Sequence, residues 1–258
     1  MKRIYRIFLA FLLLCGWGCN EDSFLNREPT SILTDDQVWN NEVQILSVLG
    51  NLYNRYYDFG TVKDWGLLSE FNEFFISNSG SYGQFQNAGW DYGNGATWDY
   101  TYIREINLFI QKCTAANKIT PSVKERFLAE ARFLRASYYF EMVKRMGGVP
   151  LILEPMTYDF SGDPSYLQHA RAKESEIYDF VISEADAIKA SLPADANEKS
   201  RATKATVLAM KSRAALYAAS IAKYGVNTPA VLLASGEVGI PASMATGYYE
   251  KALEAAKE

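Results

Sequence analysis

The sequence predicts a mainly α protein: an α-α superhelix of irregular tetratricopeptide-like repeats with one long aromatic-rich loop inserted between its helices. Three observations carry this. Apolar residues recur at steps of three and four in segments bounded by Pro and Gly. Such segments come in pairs, with alanine dense where helices would touch. Residues 60–97 lack that period and mix seven glycines with Asn, Ser and aromatic residues.

Lys2, Arg3 and Arg6 precede an uncharged run from Ile7 to Leu14, the charged and apolar regions of a secretory signal. A spanning helix needs about 20 apolar residues. This run meets Gly16, Gly18 and Asn20 first, so it directs export without anchoring. In Cys15-Gly16-Trp17-Gly18-Cys19, the small residue that a lipoprotein signal peptidase requires precedes Cys19, whereas Leu14 precedes Cys15. The expected organisation is a signal over 1–18, a lipid on Cys19, a tether over 19–34 and a helical body over 35–258. Gly16 and Trp17 depart from the usual lipobox, and the alternative is cleavage nearby with Cys19 a plain thiol.

Three of the 26 Lys and Arg fall within residues 1–18, leaving 23 against 30 Asp and Glu, a formal charge of −7. That argues against nucleic acid and anionic lipid surfaces as partners. With Cys15 removed and Cys19 acylated, Cys113 is alone and no disulfide forms, so stability must come from a core. Cys113 reads as a small buried apolar residue.

Thr34 and Gln37 stand in capping-box relation, and Val38, Ile45, Leu49, Leu52 and Tyr56 mark one helical face. After the 60–97 insertion, Trp98 opens a helix whose stripe is Tyr102, Ile106, Phe109 and Ile110, and Trp98 is expected in the core. Ser122 to Glu125 reads as a second capping box behind Pro121, followed by Phe127, Ala131, Leu134, Tyr138 and Met142. Gly147-Gly148-Val149-Pro150 ends that helix. A third helix runs from about Lys173 to Leu192 with Ile177, Val181, Ala185 and Ile188 inward and Pro193 as its stop. A fourth runs from about Ala202 to Tyr224, where Ala205, Ala209, Ala214, Ala215, Ala218, Ala219 and Ala222 permit close helix approach. The stripe Tyr248, Ala252 and Ala255 is still running at Glu258, so the chain is expected to be the front part of a longer one. Residues 123–146 pair with 173–192, and 202–224 with 248 onward.

No motif for a cofactor, zinc or phosphate-cradling loop is present. His169, the only histidine, lies between helices without a nucleophile pattern around it and reads as a surface residue. Glu70 and Glu73 could serve as a glycosidase acid/base pair, though carboxylates one turn apart are commonly a solvated face. Arg132 and Arg135 read as structural, with Arg132 bridging to Glu125 or Glu130. The aromatic content, 17 Tyr, 14 Phe and 5 Trp, makes their clustering informative. Sugars offer C–H faces that stack on flat rings, and hydroxyls that want amide or carboxylate partners. Trp90, Asp91, Tyr92 and Asn94 lie within five residues, with Tyr82, Gln84 and Gln86 just upstream. They are the expected ligand-contacting set, against the alternative that the rings simply plug the loop onto the helices.

Ala129-Glu130-Ala131-Arg132-Phe133-Leu134-Arg135-Ala136-Ser137-Tyr138-Tyr139-Phe140, followed by Gly147-Gly148-Val149-Pro150-Leu151, closely resembles the SusD/RagB family of outer-membrane lipoproteins. Cys19 with Phe24-Leu25 and Pro29, the Trp98–Asn107 helix start, and Arg201-Ala202-Thr203-Lys204-Ala205 through Tyr217-Ala218 resemble further family segments in order. The resemblance implies a cell-surface, lipid-anchored glycan or nutrient binder built on four tetratricopeptide-like helix pairs, set as a lid over a SusC-like TonB-dependent transporter. It also implies that Glu21-Asp22 is similar to a surface-export tag. It implies no catalysis and does not name the glycan. The competing classes are a surface-anchored all-α glycoside hydrolase or lyase, and a scaffold that binds only protein.

Overall fold

The computed structural model describes residues 33–56, 98–194 and 200–258. The chain forms two compact units, residues 1–38 and residues 39–258. The described part of the first contains the expected capping box: Thr34 N–H donates to Gln37 Oε1 at 3.0 Å, and Gln37 N–H to Thr34 Oγ1 at 3.4 Å. It opens α1 (Asp35–Trp39).

The stripe expected as one helix is two. Asn41 starts α2 (Glu42–Arg55) by accepting the N–H groups of Val43 and Gln44, because its short side chain satisfies donors a helix start leaves free. Ile45, Leu49 and Leu52 are buried as expected. The next helix, α3 (Tyr100–Ala115), is capped by Asp99, which accepts the Tyr102 N–H at 3.1 Å. Trp98 therefore precedes the cap rather than joining the helix, and it is 45% exposed, not core. Cys113 is buried as expected, and burial pushes its thiol up to about 11.

The central element is α4 (Pro121–Met146), which packs against α2, α3, the following α5 (Glu174–Ile188) and α6 (Lys204–Tyr224). From Ala129 to Val143 it is buried on nearly every side, so its sequence shows no single apolar face. Its start is Thr120 with Pro121 at the first position, without a side-chain cap. Ser122 is thus already inside the helix, and Glu125 instead accepts the Ser191 hydroxyl at 2.6 Å. The glycine pair after it is sterically required. Gly147 has φ +69° and would set a Cβ against the Glu237 carbonyl, while a Cβ on Gly148 would collide with the Ala172 carbonyl.

Ile177, Val181, Ala185 and Ile188 of α5 face inward as expected. In α6, capped by Thr203, the run Ala214, Ala215, Ala218, Ala219 and Ala222 is buried. Ala205 and Ala209 are exposed, because they sit on the opposite side of the helix from Val207, Met210 and Ala214. The final helix, α7 (Ala245–Lys257), buries Tyr248, Ala252 and Ala255 against α6. The expected pairs, α4 with α5 and α6 with α7, both form. Among the described residues there is no strand and no helix long and apolar enough to cross a membrane.

Candidate functional site

Cys19 and the expected ligand set Tyr82, Gln84, Gln86, Trp90, Asp91, Tyr92 and Asn94 lie outside the described residues, as do Glu70 and Glu73. The described residues show the root from which that insertion departs. Its two flanks, Tyr56 and Trp98, follow α2 and precede α3, and these ends are fastened together. Tyr102 donates its hydroxyl to the Leu52 carbonyl at 2.9 Å. Arg55 pairs with Glu105 and lies 5.6 Å from the centre of the Tyr102 ring. Tyr102 meets Tyr138 edge to face at 5.2 Å, and the Tyr138 oxygen accepts the Asp99 N–H at 3.2 Å. Burial raises both phenols above their ordinary range, so they remain neutral hydrogen-bonding groups.

Beside this root, a groove of roughly 420 Å³ runs between α2 and α3. Its apolar wall is Trp39 and Phe109, whose rings meet edge to face at 5.5 Å, with Val48, Leu52 and Leu108. Ser47, Asn51 and Glu105 supply a hydroxyl, an amide and a carboxylate. A ring face beside a few hydrogen-bonding groups is the composition a small-ligand site uses. Leu52 and Phe109 stand out in the sequence only as core-stripe residues, and Trp39, Ser47, Asn51 and Glu105 do not stand out at all. The available signal was Trp39, a large aromatic directly before the helix-breaking Asn40-Asn41.

The charges inside the helical body hold it together. Glu184 of α5 accepts Arg132 Nε at 3.0 Å and Nη2 at 2.6 Å, and Arg135 Nη2 at 3.2 Å. Arg132 therefore bridges to the next helix, not to Glu125 or Glu130. Those two are committed elsewhere, and the planar fork matches a carboxylate facing it. Burial would raise the Glu184 carboxyl, yet the two guanidiniums hold it below its ordinary value. Arg135 also donates to Asn107 Oδ1 at 2.9 Å and to the Leu153 carbonyl at 3.0 Å, while Asn107 donates to the Ile152 carbonyl. Glu130 takes Arg201 twice, at 2.9 and 2.6 Å, with Arg126 and the Tyr53 hydroxyl. Glu174 is the buried carboxyl whose pKa burial raises, against the Gly239 N–H that it accepts at 2.5 Å. It ties α5 to the 236–239 turn. His169 is exposed, as expected, and its Nε2 lies 3.1 Å from the Met156 sulfur.

Residues 23–216 match the family model for SusD-like proteins, described as starch-binding and associating with the outer membrane. SusD-like protein P38 of Formosa agariphila is 27% identical over 232 residues, which cover 84% of this chain and 43% of that protein. A solved SusD-like protein of Bacteroides fragilis is 30% identical with a TM-score of 0.55, over 76% of this chain and 39% of that one. The fold is also that of surface glycan-binding protein A from Bacteroides uniformis, at 17% identity and a TM-score of 0.51 over 72% and 44% of the two chains. The chain spans less than half the length of each of these relatives.

Proposed function

Because the chain belongs to the SusD-like family, described as starch-binding and associating with the outer membrane, we propose that it is a cell-surface glycan-binding lipoprotein. In this reading it captures an oligosaccharide and passes it to a SusC-like TonB-dependent transporter. The observation that carries it is the family match over residues 23–216, which takes in the aromatic insertion and the helical body from α1 into α6. SusD-like proteins are carbohydrate-binding and non-catalytic, and the work here is binding and hand-over with no bond broken.

The rings of Trp90 and Tyr92 stack on sugar C–H faces, and Tyr82, Gln86, Asp91 and Asn94 exchange hydrogen bonds with hydroxyls. Trp39, Ser47 and Asn51 offer a further ring, hydroxyl and amide in the α2–α3 groove. A lipid on Cys19, exposed by removal of residues 1–18, holds the body at the outer surface through the 19–34 tether.

Native gels containing soluble polysaccharides test the reading. The protein is retarded by at least one, and Trp90→Ala with Tyr92→Ala weakens that binding about tenfold or more, the scale of losing well-packed aromatic anchors. Unchanged affinity in the double variant sinks the role of the insertion, and release of shortened products sinks the non-catalytic reading. Labelling with palmitate is lost in Cys19→Ala; label that persists refutes the anchor.

A further inference from the structure

The connection between α4 and α5 offers one aromatic ring almost wholly to water. Phe160 is 88% exposed. It is also the one described non-glycine residue with a positive φ, +59°, a region bulky side chains rarely adopt. Both features oppose folding, and such features persist where the surroundings over-determine them.

The surroundings do so here. Tyr166 accepts the Asp159 N–H at 2.7 Å, and its hydroxyl reaches the Thr157 carbonyl at 3.1 Å. Asp159 Oδ1 accepts the Ser161 N–H at 3.0 Å, and the Tyr158 hydroxyl accepts the Gly162 N–H at 3.0 Å. Asp163 takes both the N–H and the hydroxyl of Ser165. The Tyr158 ring backs Phe160 at 5.2 Å and 62°. Arg104 of α3 donates to the Met156 carbonyl at 3.3 Å, pinning the start of the loop to the helical body. The ring is therefore held out by a built loop. Asp159 directly before it and Asp163 three residues after it are both exposed, and the Ser161 hydroxyl and N–H hold Asp159 below the usual carboxylate range. Each is an acceptor with lone pairs to spare.

We propose that Phe160, backed by Tyr158 and sharing its loop with Asp159 and Asp163, is a second saccharide platform, separate in sequence from the 82–94 loop. It stacks one face of a sugar unit while the carboxylates accept that unit's hydroxyls. This rests on the glycan-binding reading above. A single exposed ring on a loop that also exposes two carboxylates matches the size of one sugar, whereas a protein partner typically buries about 800 Å² per side with an apolar centre. A second platform lets a long chain be held at two points, so affinity gains from linkage.

Native gels containing soluble starch, xylan or galactomannan provide the test, with the protein compared against Phe160→Gly and Phe160→Trp. Glycine suits the +59° backbone, so Phe160→Gly removes the ring without endangering the fold. On whichever polysaccharide retards the parent protein, Phe160→Gly raises Kd about fivefold to tenfold, as expected for one lost stacking contact, and Phe160→Trp stays close to the parent. Retardation of the parent with an unchanged Phe160→Gly overturns the platform and leaves the glycan reading standing. The platform is equally overturned if Phe160→Gly binds polysaccharide normally but loses capture by the transporter. If no polysaccharide retards the parent, the glycan reading itself fails and the platform with it.

Discussion

The α4–α5 pair and the α6–α7 pair are the same kind of unit closed by different physics. Across α4–α5 an ionic staple, Arg132 and Arg135 converging on Glu184, is set among ring contacts of Tyr139 with Phe180 and Phe140 with Tyr178. Across α6–α7 the contact is apolar and rich in small side chains, with buried Ala214, Ala215, Ala218, Ala219 and Ala222 on α6 and Ala252 and Ala255 beside the one large ring of Tyr248 on α7. A hydroxyl, from Ser212 to the Ala252 carbonyl at 3.0 Å, supplements them. An ion pair fixes register but punishes the loss of either partner, because the survivor is left charged and poorly solvated. Alanine contacts bring helices close and punish the addition of volume. The two pairs should therefore fail under opposite changes.

The largest failure is expected at Glu184. Glu184→Ala strands two guanidiniums and should cost about 3–5 kcal/mol in urea unfolding. A loss below about 1 kcal/mol would mean that water already solvates the staple, and the contrast between the pairs would vanish. Next comes Ala218→Leu, which forces a side chain into the close contact of α6 and should cost about 1–3 kcal/mol. If it is neutral, α6 is not packed as tightly as its fully buried alanines imply.

Acid separates the pairs more gently. Glu184 is held below its ordinary value of 4.5, so its contribution is fully present above that pH and is lost as pH falls through the lower folded value. Urea midpoints should thus drop on acidification below about pH 4.5, with a shallower drop in Glu184→Gln, which has no such proton to take up. Parallel slopes would remove Glu184 from the account of acid sensitivity. The smallest effect concerns the exposed link between Ser191 and Glu125. Ser191→Ala should stay within about 0.5 kcal/mol, since surface contacts contribute little. A larger loss would show that the surface, too, helps to close α4 on α5.

This contrast also marks what could be read in advance. The inward sets of α5 and of the second half of α6 follow from spacing alone, because periodicity is local. The partner of Arg132 does not, since Glu184 lies 52 residues away and Glu125 and Glu130 were nearer in sequence. The break at Asn40-Asn41 and the displaced start at Thr120 turned on caps, where a residue or two decides which group meets a free N–H. Trp98 misled because a large apolar residue before a helix gives no sign of which side of the cap it occupies. For the site, the aromatic insertion stood out by composition. The groove at Trp39 and Asn51 did not, because α2 and α3 bring it together across 41 intervening residues outside the described set. Phe160 was illegible as well, because a positive φ is a property of its loop.

The proposed function has this helical body hold a sugar. Isothermal titration calorimetry with defined oligosaccharides cut from whichever polysaccharide retards the protein tests it most directly. Saturable heat is expected, weaker in Trp90→Ala and in Phe160→Gly, with the oligosaccharide recovered intact. No heat with any oligosaccharide, or recovery of a cleaved one, would contradict it.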